Sequence, residues 1–116
     1  MTVRRLKTYA GSQGYAYQYY FVGQRPAAGV DATEYIFDVT SDRKVTYAVS
    51  VAVPRTVVAA WGESHGRPLS DSEQYAAAKL RLFRAFDEVE NMQGEGRQLQ
   101  VDSAFLDEAL GSLGVE

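Results

Sequence analysis

The chain reads as an α+β protein: a four-stranded antiparallel β-meander followed by three helices packed on one face of the sheet. Three observations carry that reading. Aromatic residues stand at every second position from Tyr15 through Tyr17 and Tyr19 to Phe21, the period of a strand with one face on an apolar surface. Val45, Tyr47, Val49 and Val51 repeat that period later in the chain. Beyond residue 70 the apolar period becomes that of a helix. Strands first and helices after is the order of an α+β arrangement, not of βαβ units.

The elements follow in order. Residues 3–9 form a plausible first strand, and Gly11-Ser12-Gln13-Gly14 a turn, because glycine accepts the positive φ that tight turns need. Residues 15–22 form the second strand. Its odd positions are aromatic and its even positions include Tyr20 and Val22, so both faces are partly apolar and the strand is expected to be central or covered on its second side. Residues 23–32 hold Pro26 and two glycines and read as a loop. Residues 33–40 and 44–52 form the third and fourth strands. Tyr35, Phe37 and Val39 must share a face with Val45, Tyr47, Val49 and Val51, so the numbers of opposed residues must sum to an even value. Val39 opposite Val45 and Phe37 opposite Tyr47 satisfies this and leaves Ser41-Asp42-Arg43 as a three-residue loop.

Pro54 suits the first turn of a helix over residues 54–61, with Gly62 as its left-handed terminator. Ser70-Asp71-Ser72-Glu73 is a capping box, with a hydroxyl at the cap and a carboxylate three residues on. It opens the longest helix, residues 71–91. Tyr75, Ala78, Leu82, Phe86 and Val89 make its main apolar stripe, widened by Ala76, Leu80 and Phe83. Residues 91–100 are polar, carry two glycines and read as a loop. Asp102 or Ser103 then caps a last helix over residues 103–110.

Length and composition bound the function. A chain of 116 residues, 46 % of them apolar, is expected to fold as a single domain, residues 1–116, with a core of its own. The absence of cysteine excludes disulfides, thiolate metal sites and cysteine nucleophiles. Met1 to Lys7 carries charge with no apolar stretch behind it, so no signal peptide is expected. The uncharged run at residues 45–54 is too short and too polar to span a bilayer. A cytoplasmic location and no membrane partner are the expectation.

Net charge is −3 but is unevenly placed. Residues 1–56 hold seven Lys/Arg against four Asp/Glu, and residues 57–116 five against eleven. Blocks of this size are usually solvated faces. The sharper consequence is self-association, a mildly basic sheet half meeting an acidic helical half.

Few residues could carry chemistry. His65 is the single histidine and stands in Glu63-Ser64-His65-Gly66, read as a loop. A second histidine or a cysteine to complete a metal site is lacking, so no metal is assigned. The glycine pairs at 11–14 and 94–96 match neither a nucleophile elbow nor a nucleotide fingerprint, so no cofactor is assigned. The acids at 87–90 and 107–108 are ordinary helix-surface residues, and no catalytic residue is assigned. The expected function is therefore a non-catalytic protein-interaction domain whose contacts include a second copy of itself. Tyr20, on the minority face of its strand, is the best exposed anchor. Trp61, beside a loop, and His65 are further candidates, with Trp61 expected in the core. The alternative is a small-ligand or enzymatic pocket between the sheet and the long helix, lined by Tyr35, Tyr47, Tyr75 and Trp61 with His65 at the rim. The third is single-stranded nucleic-acid binding on the tyrosine-rich sheet. The absence of the RNA-recognition aromatic motif and the need of the helices for that same face argue against it.

Overall fold

The computed structural model describes residues 6–115. It has the expected α+β architecture, with a mixed five-stranded sheet and four helices. Strands β1 (Lys7–Ala10), β2 (Ala16–Pro26), β3 (Ala32–Thr40) and β4 (Tyr47–Pro54) form the antiparallel meander. Helices α1 (Arg55–His65), α2 (Asp71–Glu88) and the single turn α3 (Met92–Glu95) lead to β5 (Gln98–Gln100), and α4 (Ser103–Ser112) ends the fold. The start of the first expected strand, residues 3–5, lies outside the described residues.

β5 corrects the sequence reading, which left residues 91–100 as a loop. It lies parallel to β4 at the sheet edge, with Val51 opposite Leu99. Three residues give no period to detect. What holds them is the crossover through α1, α2 and α3, which returns the chain to the same end of β4, as a parallel neighbour requires. The Ser50 amide donates to the Arg97 carbonyl at 2.8 Å and the Val101 amide to the Ala52 carbonyl at 2.9 Å.

Several boundaries also move, among them the end of α2, at Glu88 and not residue 91. β2 runs on through Gly23 to Pro26 where a loop is expected, because a bulge at Val22 resets its register: Phe21 faces Phe37, but Gly23 faces Ile36. The β3–β4 pair keeps the expected parity but slides by two residues, so that Val39 faces Tyr47 and Phe37 faces Val49. Val45 is consequently exposed. The reason is local. The Asp42 carboxylate accepts from the Lys44 and Val45 amides, and the Thr40 hydroxyl oxygen from the Arg43 amide. Arg43 takes a positive φ of 65°, and this side-chain-built turn consumes the residues assigned to the strand. Finally, α1 passes through Gly62 and ends at Gly66, whose φ of 72° is the left-handed terminator. Pro54 is the last residue of β4 and the N-cap of α1.

All long helices lie on one face of the sheet. α2 packs across β4, β5 and α4, and α1 packs on β4 and α4. Their capping follows the sequence: Ser70 and Glu73 close a complete capping box, and the Asp102 side chain accepts from the Phe105 amide. The covered face is the odd one, with Tyr17, Tyr19, Tyr35, Phe37, Val39, Tyr47, Val49, Val51 and Val53 all buried. On α2, Ala78, Leu82 and Phe86 are fully buried, joined by Ala77 and Ala85, while Leu80 and Phe83 are only partly covered. The alanines let the helix backbone approach the sheet closely, and the larger rings flank the contact. α2 stops at Glu88, because Val89 is already extended.

Candidate functional site

The helices leave the second face of the sheet bare. Alternation along the strands dictates what it shows. Gln18, Tyr20, Ile36, Asp38 and Glu34 are half-buried there, and Ala48, Ser50 and Ala52 of β4 form its middle. Its polar groups are paired across strands. Tyr20 faces Asp38 and donates its hydroxyl proton to Oδ2 at 2.7 Å; Arg25 faces Glu34 and meets Oε1 at 2.8 Å. Tyr20 is thus on the face expected of it, held flat against its neighbour strand.

The small side chains of β4 open a trough of about 730 Å³ across Ser50, Ala52, Gln98 and Gln100. One wall is the 27–30 loop, which carries the most exposed large apolar side chain, Val30. That loop is tied back by the Ala27 amide on the Ala32 carbonyl and by the Arg55 amide on the Asp31 carbonyl. A second, adjoining hollow of about 500 Å³ continues from Ala48 and Ser50 to Glu95 and Arg97. Arg97 Nε donates to the Ala48 carbonyl at 3.1 Å, fixing that end. Backbone, amide and hydroxyl groups line this surface together with the Arg25–Glu34 pair, Glu95 and Arg97, and no histidine is among its lining residues.

The other two candidates lie apart from it. Trp61 is core, 3 % exposed. His65 is the last residue of α1, one turn on, and not a loop residue. Its ring stacks on Trp61 at 4.0 Å with planes 9° apart, and its Nδ1 is 2.8 Å from the Trp61 carbonyl oxygen. Arg67 lies over the same indole at 5.0 Å and is held bidentately by Glu73. That guanidinium holds the Glu73 carboxyl down at about 2, well below its ordinary value. Trp61, His65, Arg67 and Glu73 therefore join the end of α1 to the start of α2.

Of the rings expected to line a sheet–helix pocket, Tyr35 and Tyr75 lie against each other, and Tyr47 and Trp61 are buried in the core. Tyr35 and Tyr47 are buried, and Tyr75 stands 6.2 Å from both Tyr35 and Phe37 and 4.9 Å from Phe21. Burial pushes the Tyr47 phenol up to about 12, and raises Tyr17, Tyr19, Tyr35 and Tyr75 as well. No buried side-chain polar atom among the described residues lacks a hydrogen-bond partner.

Tyr20 is the part of the bare face that sequence reasoning reached. The trough was missed, because Gln98, Gln100 and Arg97 belong to the unforeseen β5 region and Val30 to a segment read only as a loop. One signal was available: Lys44 to Ala52 alternates large apolar residues with Ala48, Ser50 and Ala52, which marks a strand whose second face has nothing large packed on it. Among the described residues no helix is long and apolar enough to cross a membrane, and no three His, Cys, Asp or Glu side chains are grouped to hold a metal ion. Comparison with protein-family models, with curated proteins and with solved structures finds no match.

Proposed function

We propose that the chain is a non-catalytic protein-interaction domain of the cytoplasm that binds through the bare face of its sheet, with a second copy of itself as the partner. The observation that supports this most directly is the trough over Ser50 and Ala52, an accessible hollow on a face no helix covers. Small side chains admit a partner's side chains down to the sheet, Tyr20 and Ile36 supply apolar area, and cross-strand pairing of Arg25 with Glu34 leaves little uncompensated charge.

Area sets a condition. At about 16 Å² per strand residue the five strands present roughly 550 Å², short of the roughly 800 Å² per partner of a standard interface. The 27–30 loop and the Arg97 end must therefore take part. The test is solution mass by light scattering across concentration and salt, for the native chain and for Ala52→Arg. A dimer that Ala52→Arg converts to a folded monomer, with an unchanged circular-dichroism spectrum, is the expected result. A native chain that stays monomeric throughout removes self-association, and a dimer indifferent to Ala52→Arg removes this face.

A further inference from the structure

The opposite side of the molecule carries a second surface, built differently. A shallow groove of about 250 Å³ runs between α2 and α4 beside β1, with Tyr9, Leu80, Phe83, Phe105 and Ala109 as its apolar lining and Arg84, Glu108 and Asp87 as its charged one, the Asp87 carboxylate already accepting from the Tyr9 hydroxyl at 2.8 Å and the Ser12 amide at 2.9 Å. Its aromatic groups are ordered: Phe83 stacks on Tyr9 at 4.4 Å and meets Tyr19 edge-on at 5.4 Å. On one rim Arg84 lies 4.5 Å over the Phe105 ring and is neutralised by Glu108 at 2.6 Å. The other rim is not neutralised. Lys7 stands opposite Tyr19 in the β1–β2 register, and the Lys79 ammonium lies 6.0 Å from the Tyr19 ring and 5.8 Å from that of Phe83. Lys7 and Lys79 thus stand close together at the margin of the groove, with Lys79 over the rings. Among the described residues neither has a carboxylate within ion-pair distance. Burial, and then Lys7 itself, lower the proton affinity of Lys79, the response of an ammonium crowded by a like charge.

We infer that this groove takes an acidic amphipathic peptide segment of a partner protein, with an apolar side chain on Phe83 and Phe105 and a carboxylate at Lys7 and Lys79. Charge complementarity selects the partner, because a carboxylate placed there turns a repulsive pair into two attractive ones, beside rings that lower the local dielectric. The open shape selects a peptide. A small acid needs a concave site that buries most of its surface, whereas a groove along a helix face suits side chains presented by a continuous backbone. This surface is separate from the bare sheet face, and either assignment survives failure of the other.

The experiment uses two short synthetic peptides with leucine at helical spacing, one filled with glutamate and the other with glutamine, titrated at low salt into the isotopically labelled full chain. The glutamate peptide is expected to shift the amide signals of Leu80, Phe83, Phe105 and Ala109. The glutamine peptide is expected to bind about tenfold more weakly. Lys79→Met keeps the aliphatic stem on the rings and is expected to reduce the glutamate peptide to the level of the glutamine one, while Lys79→Arg restores binding. If Lys79→Met unfolds the chain, Lys7→Gln at the exposed strand edge replaces it, with the same expectation. Equal binding of the two peptides, indifference to both lysine substitutions, shifts confined to Tyr20 and Ser50, or no binding of the glutamate peptide would each overturn the inference.

Discussion

Phe86→Ala is the sharpest test of how α2 sits on the sheet. Phe86 is fully buried, and its ring stacks on Tyr17 at 4.2 Å with planes 6° apart, while Tyr9, Tyr19 and Phe83 surround it within 6.4 Å. Removing the ring withdraws roughly 100 Å² of buried apolar surface, worth about 2.5 kcal/mol. The void left behind, about 80 Å³ if the strands hold their positions, adds about 2 kcal/mol. Tyr17 and Tyr19 are anchored in a ladder with β1 and β3 and cannot collapse far into it. The expected loss is therefore about 4.5 kcal/mol, inside the range of about 3–5 for Phe→Ala in cores. Urea unfolding followed by circular dichroism reads it: with a slope of about 1.5 kcal/mol per molar, the midpoint falls by about 3 M. If that leaves too little folded protein to fit, Phe86→Leu, at about 1–1.5 kcal/mol, supplies a measurable step. Phe83 provides the internal control. Sequence alone puts it in the same core as Phe86, but it is only half-covered, so Phe83→Ala should cost about 2 kcal/mol. A Phe86→Ala loss below about 1 kcal/mol, or equal losses at the two positions, would refute this placement of the helix.

Other outcomes follow from the same geometry. Ser70→Ala deletes the hydroxyl that accepts from the Glu73 amide at 3.2 Å and should cost about 1 kcal/mol in urea unfolding; no change would mean that α2 starts elsewhere. Gly11→Ala places a Cβ 2.9 Å from the Phe86 carbonyl oxygen and 3.4 Å from that of Tyr15, both backbone atoms, so the β1–β2 turn must move off α2 at a cost of about 1–3 kcal/mol, seen as a lower melting temperature. In acid, Glu73 bound to Arg67 has a depressed pKa, so its contribution is present above the ordinary value of 4.5 and disappears as pH falls toward about 2; Glu73→Gln should flatten the stability profile in that window. In alkali the sign reverses. The Tyr47 phenol, raised from 10.0 to about 12, stabilises the fold below pH 10 and loses that contribution as pH climbs toward 12. Ultraviolet titration should show tyrosine ionisation coinciding with unfolding there, and Tyr47→Phe should remove part of the alkaline loss.

The parts of the fold legible in the sequence are those with a repeating period or a local chemical signal. The alternation through Tyr17, Tyr19, Tyr35, Phe37, Val49 and Val51 picked the buried face correctly, and Ser70 with Glu73 marked the start of α2 to the residue. What failed was decided by contacts distant in sequence or by side-chain-to-backbone bonds that leave no period. β5 is three residues held by β4. Gly62 was read as the terminator, but the helix runs one turn further to Gly66, a turn in which the His65 ring stacks on Trp61. The slide of β3 against β4 turns on where the Asp42 carboxylate finds amides. Tyr20 was legible as a residue of the second face because it broke the strand's polar alternation, whereas Ser50 and Ala52 are ordinary residues whose place on that face shows only in the fold.

Charge shows most plainly how folding rewrites a linear pattern. The first half of the chain is net basic and the second half acidic, which suggests a basic sheet meeting acidic helices. On the bare face, however, Arg25 is paired with Glu34 and Asp38 with the Tyr20 hydroxyl, so the sheet presents no basic field there. Arg55 is spent on Asp31 at 2.9 Å, at the foot of the 27–30 loop. One of the sheet-half cations outside these pairs, Lys7, lies on the helix side of β1 and gains a positive neighbour from the acidic half of the sequence, Lys79. Linear charge balance therefore points to neither surface. A partner seeking carboxylate recognition would find it at the α2–β1 margin, and one seeking a nearly neutral concave sheet would find it on the opposite face. Raising salt should accordingly weaken the first contact and leave the second largely unchanged, a difference that separates the two surfaces without any mutation.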